Sequence, residues 1–217
     1  MYKGNNPDIY YDAGKAILEH IRGEDSKIFN FVFEYILTGF ESLSLDEVSA
    51  KLSLEYGNVC SDGDESLKLR IKSNTLLSVG KKAPDFSIKT ISGKDYTLSN
   101  MSSEYTLIIF WATWCEHCKV ILPRLATATN IFKEAKMDVI AVSVDSDEAV
   151  LKKYLVDNLL PWEVICQFKG WDGSIAIDYA VFATPYMIIV DKDLNIVAKP
   201  FNEDRLYIEL EKILTNN

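Results

Sequence analysis

No apolar run in this chain approaches the roughly 18 residues that a membrane-crossing helix needs. Residues 1–6 are polar and lack the apolar core of a secretion signal, so this stretch is read as cytosolic or as the start of a processed or trimmed chain. Basic residues are the minority, with 23 Lys and Arg against 32 Asp and Glu, for a net charge of -9. Phosphate binding requires clustered Lys and Arg. Here they are dispersed, and no nucleic-acid partner is expected. Four cysteines are too few to staple a chain of 217 residues as a disulfide scaffold. Histidine is scarcer still, with only His20 and His117. Structural zinc takes four Cys or His ligands, usually as two close-spaced pairs. Cys60, Cys166, His20 and His117 form no second pair beside Cys115 and Cys118, so no metal is expected.

What is present is ample for a core. Hydrophobic residues make up 48% and charged residues 25% of the chain, which suits one large domain or one domain with a smaller companion. Residues 8–79 read as helical. Ile9, Ala13, Ala16, Ile17 and His20-Ile21 recur with a period of 3.6, and Gly23 ends that run. A second helix begins near Asp25 or Ser26 and carries a wide apolar face: Ile28, Phe29, Val32, Phe33, Ile36, Leu37 and Phe40. Ser44-Leu45-Asp46-Glu47 has the form of a capping box with Ser44 as N-cap. Asp62-Gly63-Asp64-Glu65 repeats that signal before Leu67, Leu69, Ile71, Leu76 and Leu77. Four helices are therefore expected in a domain over 1–78. His20 sits among apolar helical positions and is expected to pack or to be solvated rather than to act in catalysis.

The pattern changes at Gly80-Lys81-Lys82-Ala83-Pro84, which marks the start of a second domain over 79–217. Strand and helix signals alternate beyond it. Residues 86–91 and 96–98 flank the hairpin signal Ser92-Gly93-Lys94. Strands are expected at 105–111, 137–144 and 162–167, with a final hairpin of 186–191 and 195–199. Helices are expected at 116–136 (kinked at Pro123), 147–158, 174–179 and from 202 or 203 to 214. Such alternation implies an α/β sheet flanked by helices.

Within it, the apolar run Leu107-Ile108-Ile109-Phe110-Trp111 leads into Ala112-Thr113-Trp114-Cys115-Glu116-His117-Cys118, and Ile121, Leu122, Leu125 and Ala128 follow at helical spacing. A cysteine at a helix N-terminus has its thiolate favoured by the dipole and by free N–H groups. Cys115 is then the activated sulfur, and Cys118, one turn along, can trap a mixed disulfide. Cys60 and Cys166 read as buried thiols.

These motifs resemble the thioredoxin superfamily, and within it the TlpA/ResA-like thiol–disulfide oxidoreductases. The resemblance rests on four pieces in order: Val79-Gly80-Lys81-Lys82-Ala83-Pro84-Asp85-Phe86, the Trp114-Cys115-x-x-Cys118 motif with its strand, Ile140-Ala141-Val142-Ser143-Val144-Asp145, and Ala183-Thr184-Pro185. It implies a thioredoxin-like α/β fold, a central mixed sheet flanked by helices, preceded by an all-α region. It implies a catalytic pair, Cys115 attacking and Cys118 resolving, without metal or organic cofactor. Pro185 would be cis and opposite Cys115, leaving the Thr184 backbone to pair with an extended substrate. Trp111 and Trp114 would flank the approach, and Glu116 and His117 would tune the potential in opposite senses. The implied partners are protein disulfides and an upstream thiol donor, the implied place is the periplasm or cell envelope, and the direction is reductive. Two positions depart from the resemblance, since Ile109 and Ile121 stand where acids that assist the buried thiol occur in such proteins.

Two other readings remain at this point. A peroxiredoxin-like peroxidase would need Thr and Pro where Ala112 and Ile108 stand. A partner-binding module would carry a sensory or vestigial dithiol.

Overall fold

The structure is a computed structural model and describes residues 6–60 and 65–216. Two compact units divide the chain, Met1–Val79 and Gly80–Asn217.

The first unit contains α1 (Pro7–His20), α2 (Ser26–Ser42), α3 (Asp46–Tyr56), a 3-10 turn at Gly57–Cys60, and α4 (Glu65–Leu76). Asn6 and Asp25 cap α1 and α2, accepting hydrogen bonds from the N–H groups of Asp8 and Lys27 at 3.1 and 2.8 Å. The core gathers Leu18, Phe29, Phe33, Leu37, Val48, Leu52, Tyr56, Cys60 and Leu67.

Two expectations are corrected here. The buried stripe of α1 runs through Gly14 and Leu18, whereas Ile9, Ala13, Ala16, Ile17 and His20 face solvent. Gly14 decides the phase. A Cβ there would lie 3.0 Å from Leu52 and 3.1 Å from Phe40, so the helix seats its smallest residue where its neighbours approach closest. Ser44 does not cap α3, whose N-cap is Leu45 and lacks a side-chain cap. Instead Ser44 ends α2 in the left-handed region at φ 56°. Its N–H donates to Glu41 O at 2.9 Å, and that of Leu45 donates to Phe40 O at 2.9 Å, which is the Schellman pattern. The signal at Asp62-Gly63-Asp64 lies outside the described residues.

The second unit is built from β1 (Ser87–Lys89), β2 (Asp95–Thr97), β3 (Tyr105–Trp111), α5 (Glu116–Thr127), α6 (Thr129–Glu134), β4 (Met137–Ser143), α7 (Glu148–Asp157), β5 (Glu163–Cys166), α8 (Ser174–Asp178), β6 (Tyr186–Asp191), β7 (Ile196–Ala198) and α9 (Glu203–Asn216). Five strands form a sheet in the order β5-β4-β3-β6-β7, and β1 pairs with β2 apart from it. The β3, β4 and β5 strands run parallel; β6 is antiparallel to β3, and β7 to β6. Leu107 to Trp111 are all fully buried, as befits a central strand covered on both faces. The segment before β1 follows β7, with Gly80 N and Ala83 N donating to Ile196 O and Leu194 O, each at 2.8 Å.

The expected helix over 116–136 is two helices. Pro123 lies inside α5 on its exposed side and does not end it. The break falls at Ala128, where φ is -88° and ψ is 17°. Thr127 Oγ1 donates to Arg124 O at 2.7 Å, a local bond that competes with the helical ladder.

The left-handed Ser44 yields a stability prediction. That conformation costs an L-residue about 1–2 kcal/mol, and glycine's greater unfolded-state freedom takes back up to about 1 kcal/mol. Ser44→Gly should stabilise the helical unit by about 0.5 kcal/mol or more, measured as a higher urea midpoint of the helical circular dichroism signal. A lower midpoint would contradict the capping role.

Candidate active site

Strand β3 ends at Trp111, and four residues carry the chain to α5. The intervening turn is anchored from within the fold. Asp145, buried just beyond β4, accepts hydrogen bonds from Thr113 N at 3.0 Å, Thr113 Oγ1 at 2.6 Å and Ser143 Oγ at 2.7 Å. Val144 N donates to Trp111 O at 2.9 Å and extends this zipper past the strand end. The carboxyl group thus holds Thr113, two residues before Cys115, against the end of the sheet.

Cys115 is the N-cap of α5. It is joined to Cys118 by a disulfide, with the Cα atoms 5.2 Å apart. The N–H of Cys118 donates to Cys115 Sγ at 3.1 Å. In the reduced state the same N–H and the positive end of the helix favour a thiolate on Cys115. The two sulfurs differ in access: Cys115 is 7% exposed, and Cys118 is 0% exposed on the inner face of α5 with Ile121, Leu122 and Leu125.

Across from Cys115 lies the loop before β6. The Thr184–Pro185 peptide bond is cis. The Thr184 carbonyl oxygen is 3.4 Å from Cys115 Sγ, so a thiol there can donate to it. Aromatic rings back this loop, with Tyr186 centred 5.6 Å from Phe182 and 5.9 Å from Phe110. Glu116 and His117 are both exposed, and Glu116 pairs with Lys119 at 2.7 Å.

Several sequence expectations change at this site. Trp114 stands beside Cys115 and is 54% exposed, but Trp111 is fully buried and packs on Tyr154 at 5.3 Å, so it does not border the approach. Ile109 and Ile121 are buried, and their apolar side chains offer no proton acceptor to Cys118. Sequence reasoning assigned no role to Asp145 or Trp171. A charged residue closing an apolar strand was the signal for the first. A tryptophan between Gly170 and Asp172 was the signal for the second. Trp171 comes from the 3-10 turn Gly170–Asp172 and sets its ring 5.8 Å from that of Trp114. Among the described residues, no group of three or more His, Cys, Asp or Glu side chains is gathered to hold a metal ion.

Residues 79–199 match the AhpC/TSA family. The chain belongs to the AhpC/TSA family. Among its relatives is the thiol-disulfide oxidoreductase ResA of Bacillus cereus, 28% identical over 127 residues, which are 58% of this chain and 72% of that protein. Among solved structures, the C-terminal domain of a putative thiol-disulfide oxidoreductase from Bacteroides thetaiotaomicron is 27% identical with a TM-score of 0.55, covering 64% of this chain and 98% of that one. A thioredoxin-like protein from Bacteroides caccae shares the fold over 98% of this chain and 78% of its own, with a TM-score of 0.69 at 17% identity. This AhpC/TSA member is a thiol–disulfide oxidoreductase with a thioredoxin-like fold and helices before it. The peroxidase reading gains nothing, because Ala112 and Ile108 occupy the positions where its Thr and Pro are needed.

The remaining thiols, Cys60 at 2% and Cys166 at 7% exposed, lack the helix N-terminus that activates Cys115. Desolvation pushes the pKa of Cys60 up to about 11 and raises that of Cys166. Since the thiolate is the nucleophile, an alkylating reagent at about pH 7.5 should label Cys115 of the reduced protein first. Cys166, equally exposed at 7% but with a raised pKa, should react more slowly, and Cys60 only after unfolding, as read by mass spectrometry of native and denatured samples. Early labelling of either buried thiol would contradict this order.

The Asp145 anchor makes a second prediction. Thr113→Val removes one donor from a buried carboxyl group and should lower stability by about 1–3 kcal/mol. Urea unfolding followed by tryptophan fluorescence checks it; an unchanged midpoint would show that the anchor contributes little.

Proposed function

We propose that residues 79–217 form a domain that reduces protein disulfides in the periplasm or cell envelope, and that 1–78 form a separate helical domain. The reading is carried by one observation, the 3.1 Å hydrogen bond from Cys118 N–H to Cys115 Sγ at the start of α5. It activates the accessible sulfur of the pair and leaves the enclosed one to follow.

In the first step the Cys115 thiolate attacks one sulfur of a substrate disulfide. A bond forms from Cys115 Sγ to that sulfur, the substrate S–S bond breaks, and the released substrate thiolate takes a proton from water. In the second step Cys118 loses its proton and attacks Cys115 Sγ. The Cys115–Cys118 bond forms and the second substrate thiolate leaves. Two electrons pass from the dithiol to the substrate, and an upstream thiol donor restores the reduced pair. The Thr184 backbone, beside Pro185 and facing Cys115, offers an extended substrate segment a carbonyl to pair with.

The reductive direction has support from the two variable positions. Both Glu116 and His117 are solvent-exposed, and water screens the pull of a His117 charge toward oxidation. Glu116 is screened in the same way and pairs with Lys119 at 2.7 Å, so neither variable position pulls strongly toward oxidation.

Insulin reduction with dithiothreitol as donor tests the assignment. Activity should vanish in Cys115→Ser; pre-reduced Cys118→Ser, mixed with insulin after the dithiothreitol has been removed, should accumulate a mixed disulfide that added dithiol resolves. A fully active Cys115→Ser would sink the assignment. The direction is read from the equilibrium potential against glutathione. A value near roughly -270 mV is expected of a reductant, and one near roughly -120 mV would mark an oxidant.

A further inference from the structure

Trp114 and Trp171 meet with ring centres 5.8 Å apart and planes tilted by 59°. They come from different elements, Trp114 from the turn before α5 and Trp171 from the 3-10 turn after β5. Their contact does not remove them from water, since they remain 54% and 41% exposed. A tryptophan can bury about 150–250 Å², so two that stay half open give up substantial hydrophobic stabilisation.

The turn that presents Trp171 is held in shape. Gly170 adopts a left-handed φ of 58°. A Cβ on Gly173 would lie 2.8 Å from Gln167 Oε1, so the backbone closes on that side chain. Gln167 in turn accepts from Ile175 N at 3.0 Å and donates to Ser174 Oγ at 2.9 Å. Asp172 N donates to Lys169 O at 3.0 Å inside the turn. These bonds fix the backbone on both sides of Trp171 and leave its ring against Trp114.

We infer that the Trp114–Trp171 pair is a docking platform for the substrate polypeptide. It receives a large apolar side chain next to the substrate cysteine, so that disulfides flanked by Leu, Ile, Phe or Tyr are preferred over those flanked by small polar residues. The inference rests on the proposed attack by Cys115. The occupant follows from place. A substrate sulfur bonding to Cys115 must approach the end of α5 between Trp114, the preceding residue, and the Thr184 carbonyl at 3.4 Å. Successive residues of an extended segment are about 3.3 Å apart, and Trp114 directly precedes Cys115, so the side chain flanking the substrate cysteine is placed to reach Trp114 and the ring packed on it. Trp171 then acts in specificity, through contact with substrate away from the reacting atoms.

Two disulfide-linked peptides that differ only in Leu or Ser beside the cysteine test this. The wild-type protein should favour the Leu peptide in kcat/KM by about tenfold, which is about 1.4 kcal/mol. Trp171→Ala should bring that ratio close to one, chiefly through KM. Trp171→Phe should restore most of it. The equilibrium potential of the dithiol and the thermal midpoint should be the same in all three proteins. A wild-type ratio near one, a ratio untouched by Trp171→Ala, or a loss accompanied by a shifted potential would each overturn the platform. If the wild-type protein reduces neither peptide while dithiothreitol reduces both, the reductase reading fails and the platform with it.

Discussion

The N–H of Cys118 reaches the Sγ of Cys115 because Cys115 caps α5 instead of lying within it. That one position sets much of the chemistry. It places the sulfur at the positive end of the helix, leaves it the more exposed of the pair at 7% against 0%, and puts the second sulfur one turn inward. The inner face of α5 buries Cys118 with Ile121, Leu122 and Leu125, so the second sulfur cannot trade places with the first. Asp145 keeps the cap where it is by gripping Thr113 through both backbone and side chain.

The walls of the site are drawn from parts of the chain far apart in sequence. Thr184 and Pro185 arrive on the loop before β6, antiparallel to β3, and Trp171 arrives on the turn after β5, two strands away on the other side. The parallel trio β3, β4 and β5 brings its C-terminal ends together, and the antiparallel β6 begins where β3 ends. This mixed sheet is therefore the reason the carbonyl facing Cys115 and the indole packed on Trp114 come from segments far apart in sequence.

The helical unit shows a different economy. Its apolar core is joined by a buried polar seam, in which Asn74 donates to Glu41 at 2.8 Å and Arg70 donates to Thr38. Buried polar groups are tolerated where partners meet them. Because Arg70, Ser73 and Asn74 face inward along α4 with Leu67, an apolar periodicity alone describes that helix poorly.

The amino-acid sequence by itself determined the dithiol, its strand and helix, the α/β alternation and the order of motifs, because those signals are local: two cysteines at a spacing of three, an apolar strand before them, apolar residues at helical intervals after them. The tertiary structure alone decided which of two apolar stripes on α1 is buried, since Gly14 matters only where Leu52 and Phe40 close on it. It alone decided that Ser44 ends one helix rather than starting the next, because a polar residue between two helices can satisfy either end until backbone hydrogen bonds select one. It alone separated buried Trp111 from open Trp114. And it alone brought Thr184 to Cys115, Asp145 to Thr113 and Trp171 to Trp114, because contacts between distant residues depend on strand order and register, which no local pattern encodes.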